Sequence, residues 1–182
     1  MPDTRPDADS ILDQALALAA AGSWEALRLY QVADALGVGL AAIHAHYRQK
    51  DDLVEALFDR ADRAMLAAAR PQGFGGWPYR ARFEHVLNVW IEALAPYRAL
   101  LPDMLAYKLE PGHLHLHVQG LLRISRTVQW LREAARSDAA GLPRIAGEVA
   151  DTALYLRRFT AWLAGARLPA AVPPDRAGKS AG

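Results

Sequence analysis

The stretch from Val32 to Leu53 reads Val-Ala-Asp-Ala-Leu-Gly-Val-Gly-Leu-Ala-Ala-Ile-His-Ala-His-Tyr-Arg-Gln-Lys-Asp-Asp-Leu, and it limits the possible folds more than any other segment. Apolar residues at helical spacing stop at Gly37, resume at Leu40 and stop again near Tyr47 before a longer run begins. That pattern predicts a short helix, a glycine-centred turn, a second short helix and the start of a third, which is the layout of a helix-turn-helix. The layout points toward nucleic acid.

The rest of the chain predicts an all-α protein. Just over half of the 182 residues are apolar (52%), and most of these are alanine and leucine, both strong helix formers. No alternating run is long enough to suggest a strand. The chain has no cysteine, so disulfides, thiol catalysis and thiolate metal sites are excluded. No apolar run approaches the roughly 20 residues of a membrane span, and the acidic, proline-containing start from Met1 to Ser10 is unlike a secretory leader. A cytoplasmic location is the expectation.

Charge is unevenly shared. Residues 1–65 hold six Lys and Arg against eleven Asp and Glu, a net of −5, and the remainder of the chain carries +6. The segment laid out like a DNA reader is therefore the acidic one, although phosphate contacts supply much of a DNA binder's affinity.

Helical periodicity predicts a first helix capped by Asp9 or Ser10 and stopped by Gly22 in the usual glycine manner. Trp24 and Leu27 then plug a small core. Further helices are expected at Leu29 to Leu36, Leu40 to Tyr47, and Asp51 to about Ala69, the last burying Leu53, Leu57, Met65 and Leu66. The segment from Pro71 to Pro78 is rich in helix breakers and is the candidate boundary between modules. Longer helices are expected from Arg80 to Leu94, from beyond Pro111-Gly112 to about Ala135, and from Arg144 to about Ala164. The expected organisation is a reading module over residues 1–70, a helical module over 71–168 and a disordered tail over 169–182.

Three short helices, a long fourth helix and a larger helical module resemble the TetR family of bacterial regulators. The resemblance covers about Ile11 to Leu66. It rests on Gly22 with Trp24, Val32-Ala33, Gly37-Val38, Ile43, His46, Tyr47, Lys50 and Leu53. Tyr47 stands at the family's usual phenylalanine, and Lys50 matches a lysine that meets phosphate. Several surface positions depart from the family. Leu27 replaces a capping threonine and Gly39 a capping serine. Leu40, Ala41 and Ala42 stand where lysine, glycine and threonine are common, and His44 and Ala45 replace tyrosines. The resemblance implies that the helix from Leu40 to Tyr47 enters a major groove of double-stranded DNA. The candidate contacts are Arg28, Gln31, Leu40, Ala41, His44, His46, Tyr47, Arg48 and Lys50, of which Tyr47 reads as core sooner than contact.

The same resemblance implies a homodimer paired through its last two helices, with Val128, Leu131, Leu156, Phe159 and Leu163 as interface candidates. It also implies a small apolar or lipid-like effector in a pocket lined by Trp90, Met104, Tyr107, Trp130 and Tyr155. A second resemblance, ranked behind the regulators because the Tyr47 to Lys50 segment fits them better, is to lipid-binding accessory proteins of ubiquinone biosynthesis, which keep the TetR fold without using DNA.

Other features read plainly. His113, His115 and His117 do not share a face on a helix, where residues two apart point about 200° away from each other, so no metal site is expected. Arg123, Arg126, Arg132 and Arg136 read as a solvated face. With no glycine-rich phosphate loop, nucleophile elbow or acid pair, no catalytic residue and no cofactor are expected, and the chain does not read as an enzyme.

Overall fold

The computed structural model describes residues 6–68, 70–108 and 114–168, with backbone alone at 107, 108 and 114–121. Among the described residues every regular element is helical: α1 (Ala8–Ala21), α2 (Leu29–Leu36), α3 (Leu40–His44), α4 (Lys50–Ala67), α5 (Tyr79–Leu94), α6 (Leu101–Lys108), α7 (Leu114–Ala134) and α8 (Gly141–Leu163). No helix among them is long and apolar enough to cross a membrane. The expected tail, residues 169–182, lies outside the described residues, as do His113 and the side chains of His115 and His117.

Helix ends follow local chemistry. The cap of α1 is Asp7, two or three residues earlier than the expected Asp9 or Ser10: its carboxylate accepts the Ser10 N–H at 2.7 Å, satisfying one of the free amides of the first turn. Gly22 ends α1 with φ at −133°, so its role here needs no left-handed backbone. Gly37 does need it. At φ +66° it receives the close of α2, and a side chain there would strain the backbone. α8 begins at Gly141, ahead of the expected Arg144. Pro143 is tolerated in this first turn because the N–H it lacks would have no intrahelical partner.

The chain divides into two compact units that interleave along the sequence, one of residues 1–60 with 96–116 and the other of residues 61–95 with 117–182. In the first, α1 packs on α2 and α2 on α3. Its core gathers Ile11, Leu12, Ala15 and Leu16 of α1, Val32 and Ala33 of α2, Ile43 of α3, and Leu53 and Leu57 of α4. Trp24 and Leu27 are buried in the connection between α1 and α2 as expected. Arg60 reaches back to the Asp9 and Asp13 carboxylates at 3.0 and 2.5 Å, pinning α4 to α1.

In the second unit, Phe83, Val86, Leu87, Trp90, Ile91 and Leu94 of α5 are buried, as are Val128 and Leu131 of α7. The breaker-rich segment turns once around Phe74–Gly76 and buries Phe74 and Trp77. α7 ends through Arg136, whose φ of +56° is unusual for a residue with a side chain. Arg82 stabilises that end by donating to the carbonyls of Ala135 at 2.8 Å and Arg136 at 3.1 Å.

Candidate nucleic-acid interface

The first unit presents a helix-turn-helix built from α2, the Gly37 turn and α3. α3 is shorter than expected, five residues rather than eight. The chain continues from it as a tight turn in which the His46 and Tyr47 N–H groups both donate to the Ile43 carbonyl, at 3.0 and 2.9 Å. Ile43 and Tyr47 both point inward, and that fixes which side of α3 faces out. Gly39, Leu40, Ala41, His44, Ala45, His46, Arg48 and Gln49 are exposed.

The candidates divide into two groups. Four of them are tied to the unit's own backbone. Tyr47 is only 6% exposed, and its hydroxyl donates to the Ala8 carbonyl at 2.8 Å, so it is a core residue that fastens α1 to the reading segment. Arg28 donates to the carbonyls of Glu25 at 2.6 Å and Leu27 at 3.1 Å. Gln31 accepts the Arg28 N–H at 2.9 Å as part of the α2 start. Lys50 donates to the Trp24 carbonyl, and to that of Glu25 at 3.2 Å, while its ammonium sits 5.1 Å from the centre of the Trp24 ring. Burial lowers the Lys50 pKa first, repulsion from Arg28 adds to this, and Asp51 and Glu25 oppose it.

The second group faces outward: Leu40, Ala41, His44, His46 and Arg48. The backbone N–H of Arg48 and that of Gln49 both donate to the Asp52 carboxylate, at 2.8 and 3.2 Å, which holds the start of α4 and leaves the Arg48 side chain pointing to solvent.

The second unit differs more from expectation. Arg123 and Arg132, read from sequence as solvated, are only 7% and 8% exposed. Each meets a buried carboxylate. Asp62 of α4 accepts Arg123 at 2.9 Å, the Trp90 indole N–H at 2.7 Å and the Thr127 hydroxyl at 3.4 Å. Asp151 of α8 accepts Arg132 and the Tyr79 hydroxyl, the latter at 2.7 Å. Burial, and then the hydrogen bond and charge of Asp151, raise the Tyr79 pKa. These two acids lace α4, α5, α7 and α8 together, and the sequence reading missed both. The available signal was their neighbours: Asp62 sits beside Ala61 and three residues before Met65, both buried.

The five residues expected to line an effector pocket are spread over both units. Met104 belongs to the first unit, Trp130 is 46% exposed, and the Tyr107 side chain lies outside the described residues. Trp90 and Tyr155 do meet, edge to face at 5.4 Å, and Phe159 packs on both, so these rings fill the space with one another. Burial raises the Tyr155 pKa.

Of the interface candidates, Leu156 is exposed. Val128, Leu131 and Phe159 are buried inside the unit, and Leu163 is half-buried. The apolar surface left outside is another face of α8, formed by Leu142, Ile145, Val149 and Leu156, together with Leu122 and Trp130 of α7. A groove of about 550 Å³ runs along Ile145, Val149, Ala153 and Leu156. Leu66, expected in the core, is also exposed.

A helix-turn-helix unit joined in one chain to a second helical unit is the build of a transcriptional regulator, and comparison with known proteins gives the family. A family model described as bacterial regulatory proteins, tetR family, matches residues 11–57. The structure is similar to that of the TetR transcriptional regulator from Nitrosomonas europaea ATCC 19718, with 42% sequence identity, 85% of this chain and 84% of that chain covered, and a TM-score of 0.72. A search of curated proteins found no match. The chain belongs to the TetR family of bacterial regulatory proteins. Its function class is a TetR-like transcriptional regulator, and the lipid-binding accessory protein is not the favoured reading.

Proposed function

We propose that this regulator reads duplex DNA with the exposed face of α3, acting as a homodimer whose second unit receives a small apolar effector. The observation that carries the reading is the anchoring of α3. Ile43 and Tyr47 are locked into the core, so Leu40, Ala41, His44 and Ala45 all face solvent beside Arg48, the presentation a recognition helix needs. A duplex from the gene's own upstream region, titrated by fluorescence anisotropy at about 50 and 200 mM salt, tests it. Preference over a scrambled duplex, with weaker binding at the higher salt, is the expected result. Equal binding to both duplexes would refute the reading.

Pairing rests on the uncovered apolar face of α8. A two-fold contact uses the same patch on both copies, and Ile145, Val149 and Leu156 form a stripe suited to that. Val149 is 67% exposed, so Val149→Arg should leave the protomer folded by circular dichroism. It should weaken self-association by about thirtyfold or more, the effect of losing a central contact worth roughly 2 kcal/mol. Sedimentation equilibrium reads this directly, and an unchanged dimer would place the interface elsewhere. An effector acting through Trp90, Tyr155 and Phe159 would have to part their rings, and it would shift the regulator only by its differential affinity for two states.

A further inference from the structure

The exposed face of α3 carries no charged group and no amide side chain: it presents Leu40, Ala41 and His44, followed by exposed Ala45. From neighbouring segments, Arg28 and Lys50 donate to the unit's own backbone carbonyls, Gln31 accepts the Arg28 N–H, and His46, Arg48 and Gln49 stand exposed beside the face. A single exposed leucine is ordinary on a protein surface. A leucine 53% exposed, next to an exposed alanine on the face that the helix-turn-helix turns outward, has a specific counterpart. In the major groove only thymine offers an apolar group, its 5-methyl, and contact with that methyl distinguishes T·A from the other pairs.

We propose that Leu40 and Ala41 select thymine by packing on its 5-methyl group, so that part of this regulator's specificity comes from apolar contact. The inference rests on the DNA-reading function proposed above. Leu40 is the specificity-determining residue, and Ala41 keeps the helix close enough to the bases for Leu40 to reach. Leu40 lies outside the core, so replacing it leaves the buried set of Ile43, Tyr47 and Val32 intact.

The test starts from a randomised duplex pool from which the purified full chain selects its preferred sequence. Each thymidine in the selected duplex is then replaced by deoxyuridine, which removes only the methyl group, and binding is measured by anisotropy at one fixed salt. At one or two positions per half-site the replacement should weaken binding about fourfold, the transfer of a single methyl group from water. Leu40→Ala should erase that difference while leaving the thermal transition of the protein unchanged. If deoxyuridine binds as tightly as thymidine at every position, or if Leu40→Ala keeps the full difference, the assignment to Leu40 is overturned while DNA reading stands. If the pool yields no preferred sequence at all, both the DNA-reading function and this inference fail together.

Discussion

Asp62→Ala should destabilise the protein by about 3–5 kcal/mol, the cost of removing one partner of a buried ion pair. The carboxylate and the Arg123 guanidinium are both more than nine-tenths buried, so water cannot replace the missing partner. The same change takes an acceptor from the Trp90 indole N–H, and leaving a buried donor unsatisfied carries its own desolvation cost. Against a total stability of about 5–15 kcal/mol for a typical domain, this loss approaches unfolding. Asp62→Asn keeps the shape and one acceptor but removes the charge, and should fall between the two. Replacing the pair together, with Asp62→Leu and Arg123→Met, should recover much of the loss, because apolar residues of similar volume avoid the desolvation cost. Urea unfolding followed by circular dichroism measures all three. A loss below about 1 kcal/mol for Asp62→Ala would mean that the acid contributes little to holding α4, α5 and α7 together.

Trp24→Ala should cost about 3–5 kcal/mol, the usual range for deleting a buried aromatic, and with it the reading unit's grip on DNA. Trp24 is fully buried between α1 and α2, and its ring carries the Lys50 ammonium above it. The deletion therefore empties the centre of a small core and removes a cation–π contact at the same time. Trp24→Phe should be far milder. The indole N–H has no hydrogen-bond partner among the described residues, so phenylalanine gives up ring volume without breaking a polar contact. The two variants compared by thermal unfolding separate packing from polarity. Equal losses would show that the indole N–H matters after all.

The elements of the reading unit were legible in sequence because local chemistry decides them. Gly37 requires a left-handed turn, and the apolar spacing on either side sets α2 and α3. The far end of α3 was not legible, since a tight turn through His46 and Tyr47 keeps helix-like apolar spacing while closing on a single carbonyl. The resemblance suggested Lys50 and Arg28 as outward cations, but sequence spacing does not show that Trp24 and Glu25 bring carbonyls within their reach. The arginines of α7 show the same limit over a longer range. Arg123 is buried because Asp62 is there, 61 residues away along the chain. Periodicity marks positions that face inward but does not name the partner that lets a charge stay there.

The self-directed hydrogen bonds of Arg28 and Lys50 also bear on how such a molecule would find its target. Strong binding to random DNA comes from cations that displace condensed counterions. A reader that commits these two cations in part to its own backbone would displace fewer, so the chromosome at large would be a shallower reservoir for it. Fewer copies per cell would then be needed to keep one operator filled.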